Sequence, residues 1–151
     1  MAAFVILADR YTKHLAITQL DPSQTIDVIP GFIDILLHRN YGAMANVPVP
    51  IFIIASVTII VIAALSHALW KSFRQEHLVH AMAYTCIISG ALSNLYDRLH
   101  YGYVIDWLLL LGRSVVNIAD IAITIGIVIY LFSQARKKKP DIVLTPPAHS
   151  P

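Results

Sequence analysis

The chain has 151 residues, of which 57% are apolar and only 13% charged, with a formal net charge of +2. A soluble globular domain carries roughly 25% charged residues, and a mean hydropathy of +0.66 excludes that class here. A single cysteine, Cys86, excludes both a disulfide framework and a thiolate metal site.

In chain order, the amino-terminal stretch MAAFVILADRYTKHLAITQL has eight residues before Asp9, roughly 12 Å of helix at 1.5 Å per residue. A basic n-region is missing and acid and base follow at once, so it is no secretory signal peptide. It reads as the outer half of a first transmembrane helix, about 1–17. Its inner half is short or missing, as a start codon assigned too far downstream would leave it. Residues 18–50 do not read as helix. Thr25–Leu37 mixes β-branched residues with Pro30-Gly31, which predicts two short strands about a turn. Together with the return through Asn40 and Gly42 this makes an outer β segment, about 21–47.

Three long apolar stretches follow at 51–69, 78–96 and 115–132, the last carrying only Asp120, each close to the roughly 20 residues that cross a bilayer. Lys71 and Arg74 lie between the first two, and Arg136-Lys137-Lys138-Lys139 follows the third. The positive-inside rule puts both on the cytoplasmic side. Asp9, Asn40, Asp97, Asp106 and Asp120 then all fall near the outer face, although basic residues alone set the topology. The basic block reads as an anchor that favours anionic membrane lipids, not as a nucleic-acid surface. Residues 1–135 read as one membrane domain, and 136–151 as a basic, Pro-rich, disordered cytoplasmic tail.

Chemistry concentrates at the outer rim. Asn94, Asp97 and Arg98 stand at i, i+3, i+4 and share a helix face; read alone, Asp97 and Arg98 are equally an ion pair closing a helix end. Asn117 and Asp120 share a face at the first turns of the last span, where a lone acid would suit the helix dipole. Asp9 and Lys13 are i, i+4 and read first as an ion pair. Two carboxylates, Asp106 and Asp120, aimed at one membrane edge are expensive in lipid and point to chemistry. An acid pair sharing one proton can activate water against a peptide bond. No histidine has the HExxH spacing, and neither a GxSxG elbow nor a Ser–Lys arrangement is present. No metal and no cofactor is therefore expected.

Four motifs in order match one family: Asp9-Arg10-Tyr11-Thr12-Lys13; Pro30-Gly31-Phe32 with Asn40-Tyr41-Gly42-Ala43; Ser89 to Arg98 with Gly102-Tyr103-Val104-Ile105-Asp106-Trp107; and Val116-Asn117-Ile118-Ala119-Asp120. The chain resembles the lipoprotein signal peptidases (signal peptidase II), bacterial membrane aspartyl peptidases. The resemblance implies an all-α membrane protein of four transmembrane helices, the first truncated, with a small extracytoplasmic β-cradle. It implies removal of the signal peptide from a diacylglyceryl-modified prolipoprotein, cut before the lipidated cysteine, at the outer face of the bacterial inner membrane. By position Asp106 and Asp120 would be catalytic. Asn94, Arg98, Asn117, Asn40 and Gly42 would bind substrate, and Asp9, Lys13 and Asp97 would support the site. Globomycin-type cyclic peptides would be inhibitors, and the protein would be a monomer. The chain departs from the family at Met44-Ala45-Asn46, where an aromatic is usual, and at Trp107, where phenylalanine is usual. Two other readings are an inactive relative that binds lipidated peptides and a small proton- or cation-coupled transporter.

Overall fold

Leu78–Tyr101 forms a 24-residue helix on which the other helices pack, and its composition explains why. Ala81, Ala83, Cys86, Ser89, Gly90 and Ser93 give it a stripe of small buried residues, the pattern that lets helix backbones approach closely in a bilayer. A computed structural model describes residues 1–42 and 49–137. The Met44-Ala45-Asn46 departure, the end of the outer β segment and nearly all of the expected tail lie outside the described residues.

In chain order the elements are α1 (Ala2–Gln19), β1 (Ile26–Ile29), β2 (Ile33–Asn40), α2 (Ile51–Arg74), α3 (Leu78–Tyr101), β3 (Val104–Leu110), β4 (Ser114–Val116) and α4 (Ile118–Lys137). Among the described residues, α2, α3 and α4 are long and apolar enough to cross a membrane. Each of the first two runs about one turn past the stretch that hydropathy marks. Lys71 and Arg74 occupy the last turn of α2, and Asp97 and Arg98 lie inside α3 rather than after it. Hydropathy marks where lipid ends; backbone hydrogen bonding continues into the interface.

The closest helix pair is α3 with α4. A Cβ on Gly90 would collide with the Ala119 carbonyl oxygen, and one on Gly126 would stand 2.6 Å from that of Ala83. Neither position has room for any side chain. Helix α1 is 18 residues long, roughly 27 Å. Of its charged residues, Asp9 and Lys13 are fully buried against α3, and Arg10 is half-buried.

The β structure is larger than the hairpin that the sequence predicts. The turn at Pro30-Gly31 forms, with Gly31 at φ +78°, and joins β1 to β2. Two further strands complete a four-stranded antiparallel sheet in the order β1-β2-β3-β4. The Val104 segment does not run straight back to the membrane. Instead β3 pairs with β2, placing Asn40 opposite Val104 and His38 opposite Asp106. A left-handed Gly102, φ +78°, ends α3 and turns the chain into β3. The sheet therefore covers the end of the bundle where the acids lie.

Candidate active site

Each carboxylate of the pair is delivered by a different element. Asp106 comes from β3, one residue past Ile105, and is 1% exposed. Asp120 comes from the first turn of α4 and is half-buried. Local geometry aims it: the Asn117 side-chain oxygen accepts the Asp120 N–H at 2.9 Å, while Asp120 Oδ2 accepts the Asn117 N–H at 3.3 Å. This reciprocal exchange is a capping box in Asn-x-x-Asp form. It satisfies two helix-terminal donors and fixes the Asp120 rotamer.

Three amides link the acids. Asn117 Nδ2 donates to Asp106 Oδ1 at 2.6 Å and Asn40 Nδ2 donates to Asp106 Oδ2 at 3.0 Å. Asn94 Nδ2 donates to Asp120 Oδ1 at 2.7 Å, and Asn94 Oδ1 accepts from Asn117 Nδ2 at 3.2 Å. The buried Gly42 completes the cradle side by donating its N–H to Asn40 Oδ1 at 3.1 Å, so the two residues act as one unit. Burial pushes the Asp106 carboxyl up to about 6, and the neighbouring Asp120 charge adds to the rise. The Asn40 and Asn117 amides and the Lys13 ammonium oppose it.

Beneath the amides lies a buried ionic cluster. Lys13 Nζ contacts Asp9 Oδ2 at 2.8 Å, Asp97 Oδ2 at 2.7 Å and Asn94 Oδ1 at 2.8 Å. Asp97 also pairs with the Arg10 guanidinium and accepts the Ile105 N–H at 3.3 Å. Asp9 accepts from Ser93 Oγ at 2.6 Å and from the Ala119 N–H at 2.9 Å. The Asp97–Arg98 pair left open by the sequence does not form. Arg98 instead reaches back to the Asn94 carbonyl oxygen at 3.4 Å, within electrostatic range of Asp97, Asp106 and Asp120.

Every site residue named from the sequence thus falls in this one region. Three contributors were missed: Arg10, Ser93 and the Ala119 N–H. Arg10 sits inside the Asp9–Lys13 motif, and Ser93 precedes Asn94, so adjacency to the motifs was the available signal. Among the described residues, no group of three or more His, Cys, Asp or Glu is arranged to hold a metal ion.

Apolar helices long enough to span a bilayer, capped at one end by a sheet over one buried and one half-buried acid, define an integral membrane protein with a polar site at its rim. The family model for signal peptidase (SPase) II matches residues 1–136. A lipoprotein signal peptidase of Clostridium acetobutylicum is 33% identical over 148 residues, covering 93% of this chain and 96% of that protein. One from Dichelobacter nodosus is 32% identical over 145 residues, covering 87% and 89%. A bacterial membrane enzyme solved by the in meso method at 2.3 Å superposes with a TM-score of 0.81 at 29% identity, over 94% of this chain and 91% of that one. A second, solved at 1.9 Å, gives 0.79 at 28% identity, over 91% of both chains. The chain belongs to the signal peptidase II family.

Proposed function

We propose that Asp106 and Asp120 are the catalytic pair of this peptidase, which removes signal peptides from prolipoproteins. One observation carries the reading: Asn117 donates to Asp106 at 2.6 Å while its capping box holds Asp120, so one residue gathers both acids. Two carboxylates held close in a desolvated site titrate as a coupled unit, with one keeping its proton. Asp106, the more buried, is the proton holder. Asp120, half-buried, is the base.

In the reaction, ionised Asp120 takes a proton from a water, whose oxygen bonds to the scissile carbonyl carbon. The Asp106 proton passes to the carbonyl oxygen, giving a neutral tetrahedral diol. Asp120 then returns its proton to the amide nitrogen as the C–N bond breaks. Asp106 recovers a proton from the diol, leaving a new carboxyl on the signal peptide and a free amine on the mature protein. Asn94, Asn117 and Asn40 aim the acids through these steps. Arg98 offers a cation at the rim for substrate carbonyls.

The substrate in this reading carries diacylglycerol on the cysteine that follows the cut. The four transmembrane helices, the first of them truncated, sit in the inner membrane, with the sheet outside and the carboxyl terminus in the cytoplasm. The cluster around Asp9, Lys13 and Asp97 supports the site, lipid covers the apolar faces, the protein acts as a monomer, and globomycin-type peptides inhibit it. The test is a gel-shift assay with bilayer-reconstituted protein, a diacylglyceryl-modified prolipoprotein and its unlipidated twin, followed by mass spectrometry. Cleavage of the lipidated form alone, directly before its cysteine, is the expected result. Equal cleavage of both would refute the lipid requirement, and cleavage of neither by folded protein would refute the activity.

A further inference from the structure

We infer that Lys13 is a positioning residue that sets the hydrogen-bond direction of the acid pair by claiming the Asn94 side-chain oxygen. This rests on the catalytic reading of Asp106 and Asp120. An ammonium has three donors and no acceptor, whereas an asparagine amide can present either its oxygen or its NH2. All three Lys13 donors are used, on Asp9, Asp97 and Asn94 Oδ1. Beside a buried cation, only the oxygen of Asn94 can face Lys13, so its Nδ2 must face Asp120.

The direction then propagates. Asn94 Oδ1 also takes the Asn117 Nδ2 at 3.2 Å, and the same nitrogen donates to Asp106. Asn117 Oδ1 is left for the Asp120 N–H. One cation therefore fixes the donor that Asn94 turns to Asp120, and through Asn94 Oδ1 it reinforces the Asn117 orientation that serves Asp106. Turned over, Asn94 would set an oxygen against Asp120 and an NH2 against Asn117 Nδ2, which would keep only Asp106 Oδ1 and the Ile105 carbonyl as acceptors. Lys13 also holds Asp9, which anchors the Ala119 N–H next to Asp120.

The charged and titratable groups around the pair come from α1, α3 and β2. They are Asp9, Arg10 and Lys13 on α1, Asp97 and Arg98 on α3, and His38 on β2, opposite Asp106 in the strand register. Of these only Lys13 touches both the ionic cluster and the amides.

The test compares Asp9→Asn/Lys13→Met with Asp9→Asn alone. The double change removes one charge of each sign, leaving Arg10 and Asp97 matched. Relative to Asp9→Asn, kcat should fall about 100-fold with KM little changed, and the pH profile should move alkaline by about one unit. Lys13→Arg, also donors only, should restore most of kcat and the original profile. Carboxyl 13C NMR of aspartate-labelled protein follows the Asp106 titration with no turnover required, and its midpoint should rise in the double variant. An unchanged Asp106 titration would overturn the inference. So would lower thermal stability with an unshifted pH profile, the mark of a purely structural lysine. Failure of the unmutated protein to cleave would count against the peptidase reading instead, and the titration would still decide the role of Lys13.

Discussion

Helices α2 and α3 are equal in length, 24 residues each, yet they hold opposite places in the molecule. In their most apolar windows 50% of α3 is buried but only 6% of α2, although α2 is the more apolar helix. In water the greasier helix would be the core. Here lipid is the solvent, so apolar side chains can face outward at no cost and polar ones need protein around them. The buried residues of α3 include Ser89, Ser93, Asn94 and Asp97, whereas α2 buries only Ala55 and Ser72. Polarity therefore marks the functional core of this protein, and hydropathy marks its periphery.

The largest effect that would sharpen this contrast is on the ionic cluster. Asp97→Ala leaves Lys13 and Arg10 short of a buried partner, and breaking such a cluster costs about 3–5 kcal/mol. Unfolding in mixed detergent micelles should show that loss. A cost under about 1 kcal/mol would mean the cluster is solvated.

Next comes pH. The Asp106 carboxyl lies at about 6 against an ordinary 3.8. Between those values the folded protein holds a proton that the unfolded chain has released, so stability falls as pH rises across that window and is level above it. The change is on the order of 3 kcal/mol. Asp106→Asn should flatten the slope, while substitutions on α2 should leave it alone.

Smaller again is packing. Gly90→Leu or Gly126→Leu must push α3 from α4, at about 1–3 kcal/mol, with some loss of activity because Asp120 rides on α4. Smallest of all, Ile60→Leu on the exposed face of α2, 68% exposed at Ile60, should change stability by less than about 0.5 kcal/mol. A larger effect there would mean that protein, not lipid, covers α2.

What could be read in the sequence follows the same division. Short-range spacings carried the site: Asn117 and Asp120 are three apart and become a capping box, and Asp9 and Lys13 are four apart and do pair. The Pro30-Gly31 turn was legible because turn chemistry is local. Strands β3 and β4 were not. Trp107-Leu108-Leu109-Leu110-Leu111 looks like chain returning to lipid, and its strand character comes from pairing with β2, more than sixty residues earlier. The turn that follows places Leu111 at φ 53° and Gly112 at φ 62°; Gly112 was its one local signal, and the leucine before it masked the turn. Arg10 was overlooked for a similar reason, since its partner Asp97 lies 87 residues away.

The most direct test of the account is cleavage of a diacylglyceryl-modified prolipoprotein by Asp106→Asn and Asp120→Asn, side by side with the unmutated protein in the same bilayers. Each variant should insert, keep its fold and still bind the substrate, but release no signal peptide. Cleavage by either variant at a rate near that of the unmutated protein would contradict it.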